Sequence, residues 1–283
     1  MGKTTGIAWA DGTCNFWVGC KKVSPACGHC YMFTGQERWG RDPTVVTRTS
    51  DATFYAPLHW RDPMRIFTCS WSDFFIEEAD EWRADAWDVI RRTPQHTWMI
   101  LTKRPKNIAD RLPADWGKDG WDHVQLGVSV ESPWFVDRIE ALYDIPAAVR
   151  FISAEPLLRP LDLSRHLAVI DSTIANYRRG PGVSPAAQPA IHWLIIGGES
   201  GNLTGRPGKV ARRMDPAWAR ELIRQGREAG IAVFFKQTGT VLAHEWGLRD
   251  RKGETMSEWP EEFQLQEFPA GRLAATQSEL GLC

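Results

Sequence analysis

Cys20, Cys27 and Cys30 stand in the run CKKVSPACGHCY, a C-x6-C-x2-C spacing followed at once by Tyr31. Three of the six cysteines thus fall within eleven residues, in a polar, turn-rich stretch unlike core sequence. Soft thiolates at this density suit zinc or an iron–sulfur cluster, and the close pair can chelate one centre. Three thiolates ligate three irons of a four-iron cluster and leave the fourth open, as a reaction centre requires. A pure electron carrier normally has all four irons ligated. The competing reading is a structural zinc site completed by Cys14 or His29, in a zinc-stabilised nucleic-acid-binding protein without catalysis. Against it, the chain is long enough to fold without a metal, and no second C-x2-C pair follows at ribbon spacing. Cys69 lies in an apolar run and reads as a buried thiol.

The elements that must position these thiols are legible as a rhythm. Short apolar runs recur at 65–70 (RIFTCS), 97–102 (TWMILT), 124–130 (VQLGVSV), 149–154 (VRFISA), 192–197 (HWLIIG) and 231–236 (IAVFFK). They are rich in β-branched and aromatic residues and lack clean alternation, as strands covered on both faces do. A shorter strand is expected near 7–9, ahead of the cysteines. Amphipathic stretches at 81–92, 133–142 and 215–229 lie between the runs. Strand alternating with helix predicts right-handed βαβ units and an α/β fold: a partial or complete parallel (β/α) barrel of six or seven units. No GxGxxG follows the first strand, which weakens the dinucleotide-binding alternative. The segment 158–190 reads as an insertion, helical to about residue 178 and then a Pro/Gly-rich loop. We expect the barrel to span 1–243 and residues 244–283 to form a tail packed on it.

Active sites of parallel barrels sit at the C-terminal ends of the strands. Polar residues follow every expected strand: Ser70, Ser72 and Asp73; Thr102, Lys103 and Arg104; Ser129 and Glu131; Glu155; Gly197, Gly198 and Glu199; Lys236 and Gln237. They predict a polar cavity at the mouth. The densest basic stretch, RPGKVARR at 206–213, reads first as a solvated loop; Arg178, Arg179, Lys103 and Arg104 would extend it if it grips phosphate. Trp218, in a helix with Leu222 and Ile223, reads as core.

The stretches WADGTCNFWVGCKKVSPACGHCY, SWSDFF, LTKRP, GVSVES, ISAEPLL, IIGGESG, ARRMDPAW and FFKQTG occur in this order between about residues 6 and 239. In this the chain resembles a bacterial and phage family of uncharacterised proteins with a three-cysteine motif, related to the radical S-adenosylmethionine superfamily. The first spacing, six residues, departs from the three usual in that superfamily. Cys14 stands near a position where the family usually carries an aromatic residue, so it is not expected to be a ligand. The resemblance implies a [4Fe-4S] cluster on Cys20, Cys27 and Cys30, and S-adenosylmethionine as cosubstrate. It also implies a 5′-deoxyadenosyl radical that abstracts hydrogen from a substrate in the barrel. The cofactor-binding set it implies is Tyr31, Ser70, Asp73, Ser129, Glu131, Glu155, Gly197, Gly198, Glu199, Arg212 and Lys236. Asp73 or Glu155 would take the ammonium or ribose, and Arg212 or Lys236 the carboxylate. Implied partners are a small-molecule or nucleotide substrate, with nucleic acid as an extension of it, and an electron donor of flavodoxin or ferredoxin type.

Composition bounds the rest. Of 283 residues, 43% are hydrophobic and 24% charged, which argues against wholesale disorder. A net charge of −1 supplies no global field for nucleic acid or acidic membranes, so any polyanion contact must be local. The opening MGKTTGIAWADG has no apolar h-region and no stretch is long enough to span a bilayer, so a cytoplasmic protein is expected. Gly2-Lys3-Thr4 lacks the upstream glycine of a phosphate-binding loop.

Overall fold

The unbroken apolar runs are unbroken because both faces of each strand are covered. In the computed structural model, which describes residues 4–168, 191–205 and 210–270, seven parallel strands form one sheet. Its order is β1 (Gly12–Cys14), β4 (Arg65–Thr68), β5 (Thr97–Thr102), β6 (Val124–Ser129), β7 (Val149–Ala154), β8 (Trp193–Gly197) and β9 (Ala232–Gln237). The pair β2 (Trp17–Val18) and β3 (Thr47–Arg48) stands apart as a small antiparallel ribbon. The helices are α1 (Tyr31–Arg38), α2 (Asp51–Phe54), α3 (Asp80–Arg91), α4 (Asp137–Tyr143), α5 (Ser164–Leu167), α6 (Pro216–Glu228) and α7 (Thr240–Glu245).

Side chains divide by the period of two that a strand imposes. Ile66, Trp98, Ile100, Leu126, Val128, Ile152, Leu194, Val233 and Phe235 join the large core shared with the helices. Phe67, Met99, Phe151, Trp193, Ile195 and Phe234 form a second, smaller core on the opposite face, with Trp9 among them. Trp9 lies 4.6 Å from Phe67 of β4, 6.4 Å from Phe151 of β7 and 6.2 Å from Trp193 of β8. Strands three places apart in a flat sheet would be separated by about 14 Å, three spacings of ~4.8 Å. One ring can touch β4 and β7 only because the sheet curls around it. The curl stops short of closure, since β1 and β9 each have a single neighbour in the sheet. The free side of β9 is covered by residues 265–267: Leu265 accepts from Phe235 N–H and Glu267 donates to Val233 O. Trp259 and Phe263 of the same segment pack on Phe235.

Two expectations are corrected. The first strand is Gly12–Cys14, not 7–9; the apolar Trp9 that drew attention there plugs the half-barrel instead. The strand at 65–70 ends at Thr68, because Cys69 takes a left-handed φ of 58° and turns the chain across the mouth. Cys69 is buried, as expected, but at a strand end. Residues 169–190, with Arg178 and Arg179, and residues 206–209, with Lys209, lie outside the described residues, as does the tail beyond residue 270. Trp218 packs partly buried against the large core.

Candidate functional site

The cysteine segment leaves β1 and crosses the C-terminal mouth of the sheet. Gly19 sets its entry: with φ at 96°, a Cβ there would sit 2.2 Å from Val45 O. Ser72 Oγ donates to Gly19 O at 2.5 Å, tying Cys20 to the turn after β4. Cys20, Cys27 and Cys30 then line one wall of a single cavity of about 560 Å³, each half-buried. Each sulfur has its own polar neighbour. Arg104 Nη1 points at Cys20 Sγ (3.7 Å), Ser24 Oγ lies 3.7 Å from Cys27 Sγ, and backbone N–H groups of Met32 and Phe33 reach the Cys30 thiol. Burial nevertheless pushes Cys20 up to about 12, with the charge of Asp73 adding to it and Arg104 opposing. Burial raises Cys30 as well, against the two backbone donors. Among the described residues no three His, Cys, Asp or Glu side chains converge on one point that a single metal ion could occupy. Cys14 is buried on β1 beside Cys69, away from this arrangement, and burial raises its pKa.

Two arginine–carboxylate pairs hold the cysteine segment down. Asp73 Oδ1 accepts from Thr102 Oγ1 (2.7 Å) and Phe75 N (3.0 Å), while Oδ2 accepts from Lys103 N (3.0 Å) and Arg104 Nη1 (3.1 Å). Arg104 in turn donates through Nη2 to Lys21 O at 2.8 Å. On the other side Glu199 accepts from Arg212 Nε (2.9 Å), Arg212 N (2.8 Å) and Arg212 Nη2, and contacts His29 Nδ1 at 2.9 Å. Arg212 Nη1 donates to Pro25 O at 3.0 Å. Burial alone would raise the Glu199 carboxyl, but the Arg212 bonds and charge and the nearby His29 hold it below its usual range. These contacts revise the sequence reading. Asp73 and Glu199 line the cavity but each already accepts from the protein through both oxygens, and Arg212 spends its fork on Glu199. Arg212 also does not line the cavity.

What remains open lies on the concave face. Lys236 Nζ donates to Glu155 Oε1 at 2.8 Å, and Ser153 Oγ approaches Glu155 Oε2 at 3.5 Å. Both charged groups line the cavity with Ser129, Ser153 and Gly198, above the aromatic floor of Trp9 and Phe67. Trp9 Nε1 is buried without a hydrogen-bond partner, leaving one donor at that floor. Gly197 is beneath the carboxylate and not beside a ligand: a Cβ there would lie 2.7 Å from Glu155 Oε1. Glu131 is a correction, for it does not line the cavity; it is fully buried and ion-paired at 2.9 Å with Arg138 of α4. Ser70 and Tyr31 do line it, with Tyr31 Oη donating to Ser70 O at 2.6 Å. Sequence reading missed Asn15, whose Oδ1 accepts from Trp71 N at 2.7 Å and whose Nδ2 donates to Ser70 Oγ at 3.1 Å, which fixes the turn after β4. It also missed Trp71 and Trp39; only their place beside the cysteines marks them.

The fold and site therefore define an α/β half-barrel with three thiols at its mouth. A family model described as "Protein of unknown function (DUF5131)" matches residues 4–272, and the chain belongs to that family. No curated protein matches it in sequence. Among solved structures it is similar to a cysteine-to-serine variant of spore photoproduct lyase (TM-score 0.45, 14% identity, 82% of this chain and 80% of that one). It is likewise similar to the lyase complexed with dinucleoside spore photoproduct (TM-score 0.45, 15% identity, 78% and 75%). A double variant with bound AdoMet and dinucleoside spore photoproduct gives a TM-score of 0.41 at 14% identity, over 77% of this chain and 62% of that one, under two thirds of its length. Among the described residues no helix is long and apolar enough to cross a membrane.

Proposed function

We propose that the protein is a radical S-adenosylmethionine enzyme, with a [4Fe-4S] cluster on Cys20, Cys27 and Cys30. The observation that carries this is that all three thiols line one cavity together with the Glu155–Lys236 pair. A structural zinc site is closed by four protein ligands, whereas a cluster held by three thiolates keeps one iron open to a cosubstrate. Hydrogen bonds to the sulfurs are a known lever on such clusters. When bound, the cluster and S-adenosylmethionine supply one-electron cleavage and a 5′-deoxyadenosyl radical that abstracts hydrogen from substrate.

The chain's own part is holding and orienting. Lys236 and Glu155, 2.8 Å apart on the open face, match a carboxylate and an ammonium side by side, as the methionine end of the cofactor carries them. Ser129, Ser153, Ser70 and Tyr31 line the same cavity with hydroxyls, and Gly198 lets β8 pass close to the chain after β9, where a Cβ would sit 2.1 Å from Thr238 O. Trp9, Phe67 and Leu101 keep the floor apolar and exclude water. The Asp73–Arg104 and Glu199–Arg212 pairs position the cysteines and do not touch cofactor. Residues 1–243 act as the barrel unit, with the tail from residue 244 covering the β9 edge. An electron donor of flavodoxin or ferredoxin type reduces the cluster, and the substrate is a nucleotide or a base in nucleic acid.

The test is formation of 5′-deoxyadenosine from S-adenosylmethionine by the anaerobically reconstituted, dithionite-reduced protein. Product above the level given by the Cys27→Ala variant supports the proposal. Equal traces from both would overturn it.

A further inference from the structure

The two most exposed large hydrophobic side chains among the described residues are both tryptophans at the mouth end of the sheet. Trp134, 71% exposed, follows β6 with the Arg159 guanidinium over its ring at 5.7 Å. Trp39, 61% exposed, follows α1 and lies against Trp71 with centroids 5.4 Å apart and planes within 8°. Trp71 lines the cavity, and Tyr31, 56% exposed, meets it edge-on at 6.1 Å. Rings therefore run from bulk solvent to the cavity wall. The ladder is built in: Gly35 of α1 has no side chain where a Cβ would sit 2.7 Å from the Trp71 ring, and Tyr31 is pinned by Ser70 O. A tryptophan left this exposed gains little from burial, and exposed apolar patches mark binding surfaces.

Charge says what binds. Arg38 and Arg41 flank Trp39 in the chain, both exposed, and neither has a carboxylate partner among the described residues. Lys103, on the cavity wall, has none either. Of the two acids beside them, Glu37 is exposed and engaged in a contact of its own, and Asp42 is turned onto Thr44 at 2.8 Å and 2.7 Å. Parallel rings with unpaired cations alongside are what a single strand of nucleic acid requires: every base offers a face to stack, and each phosphate a charge to meet. In a duplex the base faces are already occupied.

We propose that Trp39, Trp71 and Tyr31 form a stacking platform that feeds a base of single-stranded nucleic acid into the cavity, with Arg38 and Arg41 on its phosphates. This rests on the reading of the cavity as a substrate chamber, but the platform itself needs no cluster.

The test is fluorescence anisotropy with a 5′-fluorescein 12-mer of mixed sequence, as single strand and as blunt duplex, on the full chain before and after cluster reconstitution. The single strand is expected to bind more tightly than the duplex in both preparations. Trp39→Ala should weaken it about 5- to 150-fold, the effect of one lost stacking ring, with Trp39→Phe keeping most of the affinity. Arg38→Ala with Arg41→Ala should flatten the slope of log Kd against log salt by about 1.4, two contacts at ~0.7 each. Wild-type chain that binds no strand at low salt would overturn the proposal, and a protein partner would then be the occupant to seek. Binding unchanged in Trp39→Ala would overturn it too. Iron counts on the same preparations separate the two readings: strand binding by protein that never loads iron keeps the platform and removes the cluster.

Discussion

Two parts of the mouth carry the same residue types and use them in opposite ways. On the cysteine side, Asp73 meets four donors and Glu199 is filled by Arg212 and His29, so both carboxylates are consumed in holding the loop. On the open face, Glu155 meets Lys236 and a distant serine and keeps acceptor capacity. What separates a positioning carboxylate from a ligand-binding one is saturation: a filled carboxylate fixes geometry, and a half-filled one can exchange its partner for a ligand.

The most severe way to break this contrast is Asp73→Ala. It leaves the nearly buried Arg104 charge without its partner and strips the turn at 102–104 of its acceptor. Losing one partner of a buried pair costs about 3–5 kcal/mol. Urea unfolding should show a loss in this range, and iron uptake should fall with it. Glu199→Gln should cost about 1–3 kcal/mol, the worth of hydrogen bonds to a charged group. Its pH dependence has a definite sign. The folded carboxyl is held below its ordinary 4.5, so its contribution is present above that pH and lost as the pH falls through the lower folded value. The acid limb of stability below pH 4.5 should be shallower in Glu199→Gln.

The open face predicts the reverse pattern. Replacing both partners, Glu155→Gln with Lys236→Met, should change stability by no more than about 1 kcal/mol, since removing both members of a pair leaves no orphaned charge. It should keep the iron yet lose the change that S-adenosylmethionine makes in the reduced-cluster EPR spectrum. A stability loss as large as that of Asp73→Ala would put Glu155 among the positioning groups. The smallest effect belongs to Arg213→Ala. Arg213 adjoins Arg212 but pairs with Glu245 on the surface, 47% and 40% exposed, so its removal should cost under about 1 kcal/mol and leave the cluster untouched.

The strands were legible because burial on both faces writes itself into consecutive apolar residues, as in WLIIG at Trp193–Gly197. The short edge strand β1 was not, for GTC carries no such signal and the adjacent Trp9 carries a stronger one with another purpose. That the three thiols share one cavity was legible from spacing, because C-x6-C-x2-C holds them within eleven residues of one another. Their supports were not: Arg104 reaches Cys20 across 84 residues, and Lys236 reaches Glu155 across 81. Sequence proximity likewise cannot show that Glu131 turns into the protein toward Arg138 while Glu155 turns to the cavity.

Iron and sulfide counts after anaerobic reconstitution test the three-thiol site most directly. Wild type, Cys14→Ala and Cys69→Ala should each take up about four irons and four sulfides per chain, the content of the [4Fe-4S] site. Cys20→Ala, Cys27→Ala and Cys30→Ala should each take up almost none. Uptake of one zinc per chain in place of iron, or loss of the cluster in Cys14→Ala as well, would contradict the three-thiol site.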